Sequence, residues 1–249
     1  MKLSLTIGWL YPELMNIYGD RGNLLVLLKR CKWRNIDVKT EFLNIGFEYK
    51  MLKKCDLILM GGAQDRQQQA VSQDLFKARE VIKKLIEKGI PGLYICGAYQ
   101  FLGNYYLEAN GNKIKGLEIF DLYTKNPGEG KKRLIGNAAF KSEDLGYTLI
   151  GFENHGGRTY LGKNVKPFGK VIKGYGNNGE DGYEGAIYKN SFGTYLHGPI
   201  LPKNPIFSDY LIQKALEVKY KKIIGLERLD DTLEQNAREE IAKRLGIAI

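Results

Sequence analysis

The chain has 249 residues, 43% of them hydrophobic, with 38 lysines and arginines against 28 acidic residues and a net charge of +10. That is enough for one large domain or two small ones with a substantial core. No run of about 18 apolar residues exists, which excludes a membrane-spanning helix, and the apolar opening Leu3 to Tyr11 stops at Pro12-Glu13 without a small-residue cleavage site, which excludes a signal peptide and makes a cytoplasmic protein the expectation.

Leu3 to Leu10 reads as a strand. The segment Asn16-Ile17-Tyr18-Gly19-Asp20-Arg21-Gly22-Asn23 reads as a turn leading into a helix from Leu24 to Arg34, with Asp20 or Asn23 as its cap. Asp37 to Leu43 alternates as a half-buried strand does, whereas the strand read over Cys55 to Met60 has an unbroken apolar run after Asp56, as in a strand covered on both faces. Gly61-Gly62 follows at the carboxyl end of that strand, where ligands bind in parallel sheets. It can admit a ligand to the backbone or serve as an ordinary turn.

Leu75, Ala78, Val81, Ile82, Leu85 and Ile86 repeat at helical spacing, predicting one helix over Ala70 to Glu87, closed by Gly89 and Pro91. Leu93 to Ile95 is the next buried strand. Cys96 follows it directly, then Gly97, Ala98 and the start of a helix. This strand–Cys–turn–helix order is the thiol form of a nucleophile elbow, in which a tight turn exposes the reactive atom at the carboxyl end of a sheet. Free N–H groups at the helix start favour a thiolate and can hold an oxyanion. A cysteine after an apolar run can equally be a small buried hydrophobe, which is how Cys31 and Cys55 read. The first hundred residues thus predict an α/β fold with a mostly parallel sheet and helices on both faces.

Beyond Leu107 glycines multiply. Ile135 to Phe140, Tyr147 to Phe152, Val171 to Tyr175, Ala186 to Lys189 and Phe192 to Leu196 read as strands, the last two joined at Asn190-Ser191, and are expected to extend the sheet as antiparallel additions. His197 stands at a strand end and is the candidate base for Cys96. His155, in the turn Phe152 to Arg158, is expected to contact substrate or order its loop. Helices are predicted over Phe207 to Lys219 and Asp230 to Leu245, the latter covering the sheet or docking a partner. One domain over 1–249 is expected. Two histidines and three scattered cysteines offer no set of three or four zinc ligands, so metal-free chemistry is expected. The lysines lie along helix faces without interleaved aromatics, which argues against nucleic acid; they suit an anionic substrate or a peripheral membrane contact.

Four stretches carry a resemblance: Tyr18-Gly19-Asp20-Arg21-Gly22-Asn23, Ile95 to Gly103, Gly151 to Tyr160, and Gly193 to Asn204. Together with Gly61-Gly62 they resemble class I (triad-type) glutamine amidotransferases of the cobyric-acid-synthase-like branch. More narrowly, they resemble the glutaminase subunits of lipid II isoglutaminyl synthases, which pair with a MurT-like, Mur-ligase-type subunit. The resemblance implies that Cys96 is the nucleophile and His197 its base. It implies that Gly62 and Gly97 supply oxyanion N–H groups, that Arg133 holds the glutamine and that Gln100 lines its pocket. It implies no cofactor in this chain, ATP and Mg belonging to the partner. Triad-type members carry Glu two residues after the His; here that position is Pro199, and the resemblance places the missing acid on the partner. An acceptor other than lipid II, such as a corrinoid-type carboxylate, and a catalytically silent α/β binding module stay open as alternatives.

Overall fold

The computed structural model describes residues 2–128 and 130–249. In chain order the elements are β1 (Ser4–Leu10), α1 (Arg21–Trp33), β2 (Asp37–Leu43), β3 (Leu57–Met60), α2 (Asp65–Lys77), α3 (Arg79–Glu87), β4 (Gly92–Ile95) and the short α4 (Gly97–Leu102). There follow β5 (Tyr105–Leu107), β6 (Lys113–Lys115), β7 (Leu122–Lys125), β8 (Leu134–Ser142), β9 (Tyr147–His155), β10 (Arg158–Leu161), β11 (Gly169–Lys173), β12 (Tyr183–Glu184), β13 (Ala186–Tyr188), β14 (Ser191–Thr194) and β15 (Leu196–His197), then α5 (Pro205–Tyr220) and α6 (Thr232–Leu245).

The central sheet has the order β13-β14-β4-β3-β1-β2, parallel except for β13. Its inner strands β3 and β4 are buried at every position, as their unbroken apolar runs require when helices cover both faces. The fold class is therefore the α/β arrangement read from the sequence. The antiparallel part differs from expectation. Only β13 joins the central sheet as an antiparallel strand, through a two-residue turn at Lys189-Asn190, whereas β14, expected as another antiparallel addition, lies parallel to β4. The rest builds two sheets of its own, β12-β11-β8-β9-β15 and β10-β7-β5-β6. β8 and β9 pair along nine residues each, from Leu134↔His155 to Ser142↔Tyr147, and this long hairpin is the spine of the five-stranded sheet.

Two further departures shape the site. The single helix expected over Ala70 to Glu87 starts earlier, at Asp65, and is divided at Ala78, whose ψ of −7° breaks the α progression and separates α2 from α3. The single strand expected over Phe192 to Leu196 changes sheets at Tyr195. Thr194 pairs with Ile95 in the central sheet, while Leu196 and His197 pair with Glu153 and Phe152 of β9.

α6 is tied down by charge. Buried Arg30 of α1 grips Asp209 through Nε (2.6 Å) and Nη2 (2.8 Å), and Asp231 through Nη1 (2.6 Å). The Asp231 carboxylate is thereby used for Arg30 rather than as a helix cap. Arg238 of α6 donates to the Asn204 side chain at 2.6 Å and to the Thr148 carbonyl at 2.7 Å, and Ala242 packs on Ala139 and Ile150 of the β8–β9 hairpin.

Candidate active site

β4 delivers Cys96 to the carboxyl edge of the central sheet. Its N–H donates to the Thr194 carbonyl (2.8 Å) and its own carbonyl accepts from Gln100 N–H (2.9 Å), the first turn of α4. Between these anchors the backbone takes φ 52° and ψ −105°, a conformation that costs a non-glycine residue about 1–3 kcal/mol and is kept only where its surroundings enforce it. This is the elbow anticipated from the strand–Cys–helix order. Cys31 and Cys55 are different: burial pushes each thiol up to about 12, which makes them inert packing residues.

The parallel pairing of β14 with β4 brings the segment after Thr194 alongside Cys96, and the sheet change at Tyr195 turns His197 inward. His197 is fully buried. A Cβ placed on Gly62 would stand 2.7 Å from His197 Cε1 and 3.1 Å from Cys96 Cβ. The imidazole and the cysteine therefore close on the same face of Gly62, and glycine is the residue that leaves room for both. Burial opposes a charged imidazole here. The Cys96 sulfur and the Asp20 carboxylate outweigh it and hold His197 above its ordinary range.

Asp20 is the residue that sequence reading missed. It stands at the N-cap position of α1 but makes no capping bond. Tyr18 and Gly19 before it both have positive φ (55° and 79°), and this double left-handed turn aims the Asp20 side chain into the protein. One carboxylate oxygen lies 3.3 Å from His197 Nδ1 and the other accepts Gly62 N–H at 2.7 Å. Asn23, the other expected cap, instead accepts Leu201 N–H at 2.9 Å. The Gly62 N–H, expected as an oxyanion donor, is thus already engaged in this structure. Gly97 N–H, at the start of α4, has no acceptor among the described residues.

A cavity of about 530 Å³ opens beside the sulfur, lined by Cys96, Gln100, Arg133 and His155 together with Tyr18, Gln64, Asp65 and Asn154. Arg133 sits at its exposed rim, its guanidinium anchored on Asn154 through Nε to the side-chain oxygen and Nη2 to the carbonyl, both 2.9 Å. Asn154 Nδ2 in turn donates to the Tyr18 hydroxyl (2.7 Å), and the Tyr18 ring meets His197 edge-on at 5.1 Å. Gln100 is buried and spends its amide on neighbours, accepting from Gln68 and donating to the Tyr195 hydroxyl, both at 3.2 Å. His155 is buried too. Its Nδ1 faces the Gly157 carbonyl at 2.8 Å, and burial holds it below its ordinary range despite the pull of nearby Glu153.

Residues 6–205 match the model of the CobB/CobQ-like glutamine amidotransferase domain. The chain belongs to this family. Among the relatives of this amidotransferase is the Staphylococcus aureus lipid II isoglutaminyl synthase (glutamine-hydrolyzing) subunit GatD, 43% identical over 97% of this chain and 96% of the relative. The Streptococcus pneumoniae protein of the same name is 40% identical over 95% of this chain and 90% of its own length. A probable cobyric acid synthase of Methanothermobacter thermautotrophicus is 36% identical over 63% of this chain, which spans only 32% of that longer protein. In fold, the amidotransferase is similar to a crystal structure of a glutamine amidotransferase, with a TM-score of 0.59 at 14% identity over 84% of this chain and 98% of that one. No helix among its described residues is long and apolar enough to cross a membrane.

Proposed function

We propose that this chain is the glutaminase subunit of a lipid II isoglutaminyl synthase. The observation that carries the reading is end-to-end similarity to two proteins of that name, combined with a cysteine elbow and a buried imidazole sharing the space beside Gly62.

The chemistry follows from the positions. Arg133 at the rim suits the α-carboxylate of glutamine, which a guanidinium holds bidentately, with the side-chain amide directed inward to Cys96. His197 Nε2, which has no other hydrogen-bond partner among the described residues, takes the Cys96 proton, and the sulfur attacks the amide carbon. The oxyanion forms against Gly97 N–H; such a donor contributes about 3–4 kcal/mol. The imidazolium returns its proton to the leaving nitrogen, so ammonia departs and a γ-glutamyl thioester remains. Water, deprotonated by His197, cleaves the thioester to glutamate and restores the thiol.

The ammonia serves a Mur-ligase-like partner that uses ATP and Mg to activate the D-glutamate α-carboxyl of lipid II and form D-isoglutamine. This assigns the chain to cytoplasmic peptidoglycan synthesis. The test is glutamate release and lipid II amidation by the full chain co-purified with such a partner, with Cys96→Ala as control. Loss of both activities in the variant is expected; undiminished glutamate release would refute the reading. Similarity to cobyric acid synthases supports a second reading, a corrinoid-type carboxylate acceptor. It is favoured if the complex hydrolyses glutamine but leaves lipid II unamidated.

A further inference from the structure

We infer that Gln68 recognises the carboxamide of glutamine: its side-chain oxygen accepts an N–H of the reacting amide and so separates glutamine from γ-acyl compounds that offer no N–H. The inference rests on the glutaminase reading above and assigns to that site a residue that selects its substrate.

Gln68 projects from α2 and is 2% exposed, yet it lines the cavity beside Cys96. Its carboxamide lies on the first residue of the elbow: a Cβ on Gly97 would stand 2.8 Å from Gln68 Nε2 and 2.9 Å from its Cδ. The neighbours decide which end is nitrogen. The Ala63 carbonyl, 3.1 Å away, can only accept, so the atom facing it is Nε2, and the second hydrogen of that nitrogen goes to Gln100 Oε1 at 3.2 Å. Gln100 must then turn its own nitrogen to the Tyr195 hydroxyl (3.2 Å), which is bonded in turn to Thr159 Oγ1 (2.6 Å), and that to Thr124 Oγ1 (2.7 Å). Both ends of Gln100 are thereby spent inside the protein, and the buried chain holds Gln68 in one orientation. Gln68 Oε1 is left over, buried and without a partner among the described residues. Such an acceptor is costly and rare in a native interior. His155 is the other cavity-lining residue with an unpartnered buried atom, but its Nε2 faces the Glu153 carboxylate at 3.8 Å.

The donor that completes Gln68 arrives with the substrate. With its α-carboxylate on Arg133 at the rim, glutamine sends its carboxamide to the floor, beside Cys96 and Gly97. That group brings a carbonyl oxygen for Gly97 N–H and two N–H groups, one of which meets Gln68 Oε1. A glutamate carboxylate brings only acceptors to the same place and is repelled, which favours release of the product.

Gln68→Met keeps the length of the side chain and removes the acceptor. Two substrates read its effect in the full chain with its partner: glutamine, and the γ-methyl ester of glutamate, which presents the same acyl group with no N–H and releases methanol in place of ammonia. The ratio of kcat/KM for the amide to kcat/KM for the ester is expected to fall at least about tenfold in the variant. Loss of packing, or of the bonds to Ala63 and Gln100, lowers both rates alike and cancels in the ratio. An unchanged ratio, with Cys96→Ala inactive on both substrates, would overturn this inference and leave the glutaminase reading intact; hydrolysis of glutamine by Cys96→Ala would instead remove the reading itself. A second measurement needs no variant to fold. On the wild-type chain with its partner, the ester should inhibit glutamine hydrolysis with a Ki at least about tenfold above the KM for glutamine, and a Ki within about threefold of that KM, or below it, would overturn the inference.

Discussion

Tyr195 lies flat on His155: the ring centroids are 3.6 Å apart and the planes 8° from parallel. The residue at which the chain changes sheets is thus clamped to the glycine-rich turn that lines the cavity. Because the Gly157 carbonyl can only accept, His155 Nδ1 carries a proton. Burial first, against the weaker pull of Glu153 and Gly157, holds it below its ordinary 6.5. The unfolded chain therefore binds the extra proton at higher pH than the folded one, and stability falls as pH drops below about 6.5. His155→Phe keeps the stack and loses one hydrogen bond. It should be less stable than wild type by about 1 kcal/mol at pH 8, with the gap narrowing at pH 5; urea melts at the two pH values measure both.

Glu184 makes the opposite prediction. It is buried beneath the same junction, with one oxygen accepting from Thr194 Oγ1 (3.0 Å) and Tyr195 N–H (2.7 Å) and the other without a partner among the described residues. Burial, only partly offset by those two hydrogen bonds, pushes its carboxyl up to about 8 from 4.5. Between these values the folded state holds a proton that the unfolded chain has lost, so this group's contribution to stability declines as pH rises from about 4.5 to 8. Glu184→Gln keeps an acceptor for Thr194 and Tyr195 and removes that slope. Its melting temperature relative to wild type should climb across this range, and a constant difference would contradict the assignment.

The three cysteines should separate cleanly on chemical modification. At pH 7.5 iodoacetamide should add one label to the native chain, at Cys96, and none to Cys96→Ser, while Cys31 and Cys55, both held near 12 by burial, react only after denaturation. Intact-mass spectrometry gives the count, and labelling of native Cys31 or Cys55 would count against their inert packing role.

Gly62→Ala tests the shared space. Its backbone is open to alanine, but the new methyl would press on His197, Ile17 and Cys96 at 2.7, 2.9 and 3.1 Å. The expected result is a folded protein with kcat for glutamine hydrolysis reduced at least about 100-fold, since displacement on the order of 1 Å is enough for that. A variant with unchanged kcat would show that this contact does not set the catalytic geometry.

Arg133→Lys retains the charge and loses the fork. KM for glutamine should rise about tenfold or more with kcat largely kept, because the lost contact is made equally by substrate and transition state. Steady-state kinetics would reveal an unchanged KM if the arginine has no part in holding the substrate.

The elbow was legible because Cys96 follows directly on a readable parallel strand, β4; His197 was legible as the histidine that closes a readable apolar run, although it lies in β15, antiparallel to β9, and not at the end of a parallel strand. Asp20 has no such marker. Its neighbours Tyr18, Gly19 and Asn23 spell a helix-capping turn, and only the left-handed backbone at Tyr18, which bulky residues seldom adopt, aims the carboxylate inward. The sheet change at Tyr195 was equally hidden. Phe192 to Leu196 is a continuous run whose residues are all buried, and burial looks the same whichever sheet supplies the hydrogen bonds. The division of α2 from α3 left no mark either, since Ala78 is among the best helix formers.

That change of sheet has a mechanical corollary. The sulfur is carried by the parallel layer through β4, whereas the imidazole is bonded into the antiparallel layer through β15 and β9. Any slide of one layer against the other alters their separation directly, with Tyr195 as the fulcrum. A protein gripping the long β8–β9 hairpin would thereby act on the spacing of Cys96 and His197 without touching either residue.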